Sequence, residues 1–427
     1  MIIILIGSIL IFFIIGVPIA FAVGSGTLLA VIFSGDLPLT LVSQRIFTAL
    51  DSWILMAIPL FMLAGNLMSF GGMSKRIVIF CNELFGNIKG GLAMVSVVAS
   101  MIFAGVSGSS TADTAAIGSI MIPAMREAKY NMGFVTVLQA AAGSIGPIIP
   151  PSLLMIIIGF MTDTSVARLF LGGIVPGVLI GVGLMVVSYL HVSRGRIKYL
   201  TINKQFNLKR LLKGGKEAIP SIVLPFIIIF GIVGGIFTAT EASVVAVVYA
   251  LIVGMFIHKE IKLKDLPNIL LSSAELACIV MFVCTTAYFF TWFATAKHLP
   301  EMLAKFMLEN ISSKFGFLIF LNILLLIVGM FMESFSAIVI LMPLLFPAAM
   351  GFGINPIHFG VVVCVNLAIG YITPPYGATL YVSCSLTGKS IREVTPYLFL
   401  ILSVMIFVLM IVTYLPQSFM WIPNMIK

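Results

Sequence analysis

At 427 residues, 61% hydrophobic and 9% charged, with a mean hydropathy of +1.20, the chain lies far outside soluble-domain composition and has room for many membrane spans of about 20 residues. The formal charge of +9 sits in short connectors between apolar runs, where it orients a chain in a bilayer, and nucleic acid is not an expected partner. The five cysteines (81, 278, 284, 364, 384) have neither metal nor redox spacing and read as small core residues.

The opening MIIILIGSILIFFIIG has no basic start and no small-residue cleavage site, and another apolar run follows it, so it reads as a retained span. Further spans are expected at 17–33 and 54–70, with Ser34 to Trp53 as a short outer loop between them. Residues 72–90 mix charges with apolar residues and predict an interfacial amphipathic helix. Residues 90–128 predict one re-entrant hairpin, bent at the Gly-Val-Ser-Gly-Ser-Ser-Thr run of 105–111. A broken helix over 133–160, a short outer loop Thr162 to Leu169 and a span over 170–191 follow.

The chain then repeats itself at an offset of 224. GPIIPPS at 146–152 lies over GYITPPY at 370–376, and the same register, without gaps, superposes Gly105 on Gly329, Pro123-Ala124 on Pro347-Ala348 and Arg168 on Arg392. The expected units are 1–203, a basic cytoplasmic linker 204–224, and 225–427, with a second amphipathic helix at 296–314, a second hairpin at about 315–352 and a second broken helix at about 357–384. The stretch Arg194 to Lys216 carries eight Lys/Arg and no acid and is too polar to cross. Halves joined by such a linker are inverted if each crosses an odd number of times, and each counts five crossings beside its hairpin. With the linker inside, 18 of the 24 Lys/Arg fall on the cytoplasmic side, and Arg45, Arg168, Lys297, Lys305, Lys314 and Lys427 fall outside. Both termini are therefore expected outside.

In hydrocarbon, bent backbone survives only inside protein or beside a watery cavity, so the breaks point at the site. The first hairpin offers Ser107, Gly108, Ser109, Ser110 and Thr111, followed by Asp113; an acid inside the membrane is a functional candidate by default. Gly143 to Pro151 (GSIGPIIPP) cannot be regular helix, because its prolines lack amide donors. Carbonyls and hydroxyls freed there, at Gly143, Ser144 and Gly146, are hard oxygen ligands suited to Na⁺, and half-helix N-termini suit an anionic substrate. The second half repeats the device with Glu333, Ser334 and Ser336 at the hairpin and Gly370, Thr373 and Pro374 at the break, which implies two related cation sites. Glu275, without a counterpart in the repeat, reads as a capped or lumen-facing structural acid, and Arg168 and Arg392 as anchors. An intramembrane serine hydrolase is the reading from another class: Gly105-Val-Ser107-Gly108 spells GxSG, but that chemistry needs a nearby histidine base, and all four histidines fall at span ends.

The run GLAMVSVVASMIFAGVSGSSTADTAAIGSIMIPAM (91–125), with IGPIIPPS, FLGGIVPG (170–177) and GVPIAFAVG (16–24), closely resembles the large membrane subunit of TRAP transporters, the DctM family, over essentially the whole chain. The resemblance implies an all-α inverted-repeat transporter with an elevator motion. It also implies a tripartite Na⁺-coupled importer of organic acids, with a small four-helix membrane subunit as a separate polypeptide and a periplasmic substrate-binding protein, in a bacterial inner membrane. On the family pattern the cation ligands map to Ser107 through Thr111 with Gly143 to Gly146, and to Glu333-Ser334 with Gly370 to Thr373. Ser107 and Ser152, with Pro150 and Pro151, are the implied substrate contacts. The implied coupling ion is Na⁺, and no organic cofactor is expected. Sialic acid, C4-dicarboxylates and other sugar acids are all possible substrates, overall likeness pointing first to sialic acid. A stand-alone Na⁺/anion symporter is the alternative.

Overall fold

A computed structural model describes residues 2–35, 37–194 and 208–425, and these are built from helices. The first half contains α1 (Ile2–Ile14), α2 (Ile19–Ser34), α3 (Thr40–Leu50), α4 (Ala57–Phe70), α5 (Met73–Phe85), α6 (Gly91–Ser107), α7 (Ser110–Glu127), α8 (Met132–Gly143), α9 (Leu153–Thr162) and α10 (Val166–Arg194). The second contains α11 (Leu208–Val233), α12 (Ala239–Ile252), α13 (Leu266–Ala296), α14 (Leu299–Asn310), α15 (Lys314–Phe331), α16 (Ser334–Gly351), α17 (Pro356–Gly370), α18 (Ala378–Thr387), α19 (Ile391–Tyr414) and the short α20 (Gln417–Met420). Among the described residues seven helices are long and apolar enough to cross a bilayer, or up to eight counting α4 and α5 as one span bent by 64°. Helix α1, with 13 residues, reaches only about 20 Å and falls short of a hydrocarbon core.

The breaks have local causes. Helix α6 ends where Gly108 takes a left-handed φ of 59°, and Ser109 is extended before α7. Met332 and Glu333, both extended, separate α15 from α16. Helix α8 ends at Gly143 and α9 begins after Ser152; α17 ends at Gly370 and α18 begins after Gly377, with a cis Pro–Pro bond inside each gap. Asn131 accepts from the amides of Gly133 and Phe134 to cap α8, and Asn355 accepts from those of Ile357 and His358 to cap α17. These two caps also lie 224 residues apart.

Packing is crossed between the halves. Helix α7 lies on α18 and α16 on α9; α8 lies on α19 and α17 on α10. The ten helices α6–α10 and α15–α19 pack as one block, and its continuous core extends into α4, α12 and α13. Helices α2, α4, α12 and α13 pack on one another as a wall beside it. Amphipathic α5 buries Met73, Ile77, Val78 and Cys81 and lies on α6, while α14 buries Leu299 and Ala304 and lies on α16. Leu5, Val23, Val31, Phe289 and Phe293 make a second, smaller cluster joining α1, α2 and α13.

Several expectations need adjustment. The stretch read as the loop Ser34 to Trp53 contains α3, which packs on α13 and sets Arg45 over the Trp292 ring at 5.2 Å. Residues 195–207 of the basic linker lie outside the described residues, and from Leu208 onward the stretch expected as linker is already α11. Cys278 is exposed, unlike the other four cysteines, which are buried. Glu275 is exposed on α13 and has no capping partner in the described chain. Arg168 anchors as expected, its Nε donating to the Pro423 carbonyl at 3.3 Å.

Candidate functional site

A cavity of about 820 Å³ lies between the block and the wall. The block contributes Gly108 to Ala112 from the first hairpin, Pro147, Glu333 with Phe335 and Ser336 from the second, and Tyr371 and Tyr376 from the second broken helix. The wall contributes Pro18 to Phe21 of α2, Met62 of α4, and Leu276, Ile279 and Val283 of α13. Both breaks of the chain therefore meet one space. The first-turn amides of α7, from Ser110 onward, end at its rim, as do those of α16, so two positive helix ends face the same volume. Its described lining holds one carboxylate, Glu333, and no Lys or Arg.

Behind the cavity, the first hairpin closes on itself. The Ser107 hydroxyl donates to Asp113 Oδ1 and accepts from the Ser109 amide at 3.1 Å. The Ser109 and Thr111 hydroxyls lie 3.5 Å apart. Asp113 Oδ2 and Ser110 Oγ are buried without a hydrogen-bond partner. Orphaned buried oxygens are costly, and a cation is what a carboxylate and a hydroxyl share best. The broken helix comes right up to them: a Cβ built on Gly146 would stand 2.5 Å from Asp113 Oδ2 and 3.3 Å from the Ser109 carbonyl carbon. One on Gly143 would stand 1.9 Å from Thr114 Oγ1. The hairpin and the break that sequence reasoning paired are thus one cluster, with glycines where no side chain fits.

The second cluster is built differently. Glu333 accepts from the Phe335 amide at 3.1 Å and from the Tyr371 hydroxyl at 3.3 Å. The Ser334 hydroxyl donates to the Leu367 carbonyl at 3.4 Å. Gly370 meets Gly329 backbone to backbone, and the Tyr376 amide donates to the Met330 carbonyl at 3.0 Å, which pins the break to α15. Thr373 donates its hydroxyl to the Ile369 carbonyl at 2.8 Å.

Not every candidate reaches the cavity. The hydroxyl of Ser144 is spent on the Ala141 carbonyl. Ser152 is buried, donates to the Pro147 carbonyl and accepts from the Met155 amide, capping α9; Pro150 and Pro151 stand in the same turn. Tyr376 and Phe335 also line the cavity, outside the residues that the sequence marks, and Tyr371, inside the marked range Gly370 to Thr373, contributes its side chain. The wall residues of α2 and α13 gave no signal, being ordinary apolar residues within apolar spans.

A family model described as "Tripartite ATP-independent periplasmic transporter, DctM component" matches residues 6–417. The chain is 40% identical over 94% of its length to the C4-dicarboxylate TRAP transporter large permease protein DctM of Pseudomonas aeruginosa, covering 93% of that protein. It is 38% identical over 97% of its length to the isethionate TRAP transporter permease protein DctMQ of Oleidesulfovibrio alaskensis, of which it spans 65%. To the sialic acid TRAP transporter large permease protein SiaM of Vibrio cholerae it is 36% identical, covering 96% of this chain and 95% of that one. Among solved structures, the MtrF transporter of Neisseria gonorrhoeae shares the fold, with a TM-score of 0.61 at 13% identity over 87% of this chain and 83% of its own. These relatives are named as transporters and permeases, and none as an enzyme. The chain belongs to the DctM component family of the tripartite ATP-independent periplasmic transporters.

Proposed function

We propose that this chain carries an organic anion inward across a bacterial inner membrane by cotransport with Na⁺. The observation that carries the reading is the charge content of the cavity. A space whose described lining holds one carboxylate and no basic side chain cannot balance an anionic substrate with those residues. Helix N-termini supply about half a charge each, and co-bound cations supply the rest. One cation is held by Asp113, Ser110 and the neighbouring Ser107, Gly108, Ser109, Thr111, Gly143 and Gly146; the other by Glu333, Ser334 and the backbone from Gly370 to Thr373. The orphaned Asp113 Oδ2 and Ser110 Oγ support the first assignment.

The two halves act as an inverted repeat, with both termini outside. Supporting this are the helix breaks at Gly108-Ser109 and Met332-Glu333 and the caps Asn131 and Asn355, all in the 224-residue register. The block slides past the wall as an elevator, the cavity lying on their contact surface. Substrate arrives on a periplasmic binding protein, and a small membrane subunit completes the complex. The relatives' names span a sulfonate, dicarboxylates and a sugar acid, so the substrate is an organic acid of this range, and the earlier preference for sialic acid has no support over the other two.

The test is uptake into proteoliposomes holding both membrane subunits, with loaded binding protein outside and isethionate, succinate and sialic acid as the panel. Uptake of one of them is expected to need an inward Na⁺ gradient and to rise more steeply than first order in Na⁺. Uptake unchanged when K⁺ replaces Na⁺ refutes the coupling. Full uptake without binding protein favours the stand-alone symporter.

A further inference from the structure

Helix α13 carries an acid on an apolar outer surface. Leu271, Glu275, Cys278 and Phe282 follow one another at intervals of four, three and four residues, and all are exposed, so they form a single seam of the kind that receives a second helix. The upper part of that seam is taken by α2. The Phe21 ring stands 4.8 Å from Phe282, and a Cβ on Gly24 would stand 3.0 Å from Thr286 Cγ2. Helix α2 runs parallel to α13 but starts only at Ile19, because Gly16, with φ of 84°, and Pro18 turn the chain back into α1. Ile14 and Ile15, next to that turn, are exposed, and Leu271, Glu275 and Cys278 continue the seam, exposed among the described residues.

Glu275 has no hydrogen bond or ion pair within the described chain. It stands seven residues past Asn268, about 10 Å along the axis from the polar end that Lys262, Lys264, Asp265 and Asn268 mark, further than a glutamate side chain extends. A carboxylate in that position is expensive beside lipid and calls for a partner charge or donor. Leu276, Ile279, Val280 and Val283, which line the cavity, lie mainly on the next face of the helix, and Phe282 at the upper end of the seam lines it too, so the seam and the cavity wall are adjoining stripes of α13 that meet at Phe282.

We propose that a transmembrane helix of the small membrane subunit continues the line of α2 along this seam and sets a Lys or Arg against Glu275. The proposal rests on the tripartite reading above. Two observations choose the occupant: the seam prolongs an existing helix–helix contact, and the lone acid requires a base. A relative whose length this chain spans by only 65% leaves room for such a helix in the same polypeptide.

The test uses the complex of both membrane subunits in liposomes, with a benzophenone side chain at position 278 and, as a comparison, at position 407 on α19, where Phe407 is also exposed. Irradiation is expected to join position 278 to the small subunit, and position 407 to lipid alone. In parallel, Glu275→Lys should reduce the small subunit recovered with the large one at least tenfold, and Glu275→Gln about threefold, with the large subunit still eluting as a folded species. Lipid adducts alone at position 278, or ready reaction of Cys278 in the intact complex with a membrane-impermeant maleimide, would overturn the proposal. So would full recovery with Glu275→Lys. Absence of any co-purification with the unmodified chain would instead sink the tripartite reading itself.

Discussion

Adding one methyl group at Gly146 tests the first cation cluster directly. The new Cβ would stand 2.5 Å from Asp113 Oδ2, 3.2 Å from the Gly143 carbonyl oxygen and 3.3 Å from the Ser109 carbonyl carbon. Two of those three are backbone atoms in fixed turns, so relief comes from Asp113 swinging away, which breaks its bond from Ser107, or from the broken helix backing off. Either motion spreads the oxygens that would share the cation. Forcing a methyl into a packed site costs about 1–3 kcal/mol, and 1.4 kcal/mol is a tenfold change in an equilibrium constant. Gly146→Ala is therefore expected to raise the half-saturating Na⁺ concentration for proteoliposome uptake by about tenfold or more. Gly7→Ala, where a Cβ meets nothing within 4 Å, should leave it unchanged. A folded Gly146→Ala protein that titrates with Na⁺ like the parent refutes the placement of the cation between hairpin and break.

Other expectations follow from single contacts. Tyr371→Phe removes the hydroxyl that reaches Glu333, a charged hydrogen bond worth about 1.5–3 kcal/mol, and should weaken Na⁺ dependence about tenfold; an unchanged titration would exclude Glu333 from the second site. Gly65→Ala puts a Cβ 3.1 Å from Ser107 Cα on the surface between wall and block, so maximal uptake should fall severalfold, and an unaltered maximal rate would show that the two do not slide there. Asp163 adopts a left-handed φ of 51°, which asparagine tolerates, so Asp163→Asn removes the charge without straining the turn. It should slow uptake two- to threefold at limiting binding protein and recover with more of it, since rim charges act mainly on encounter rate. Single cysteines at Asn268 and Ser313 should be labelled from opposite sides, the first only from the cytoplasm; labelling from one side would end the inverted arrangement.

The breaks were legible because glycine and proline cluster there: single prolines such as Pro123 and Pro176 are carried inside helices, whereas Gly108 and the run Pro147 to Pro151 sit in turns. The amphipathic helices α5 and α14 were legible for the same kind of reason, charges at helical spacing within apolar stretches. Helix α3 was missed because Ser43, Gln44 and Arg45 look like a loop until the Trp292 ring is known to lie beneath Arg45. The hydroxyls of Ser144 and Ser152 could not be told from ligands in a sequence, since whether a serine caps its own backbone depends on the turn it ends up in. The apolar wall was invisible in principle. Leu276 and Ile279 face a cavity rather than lipid solely because of what stands opposite them.

The crossed packing bears on how such a chain can be made. When translation has passed α9, the break at Gly143 to Ser152 is already in the membrane, but α16 and α18, which cover α9 and the end of α8, have not been synthesised. About 225 residues separate the two events, which at about 5–20 residues per second means roughly 10–45 s. During that interval a kinked, glycine-rich segment with freed carbonyls must be sheltered by the insertion machinery or by provisional neighbours. A ribosome pause after the first half lengthens the exposure. Splitting the gene between Arg194 and Leu208 leaves each fragment without the helices that cover its own bent backbone, so neither can mature until the other arrives.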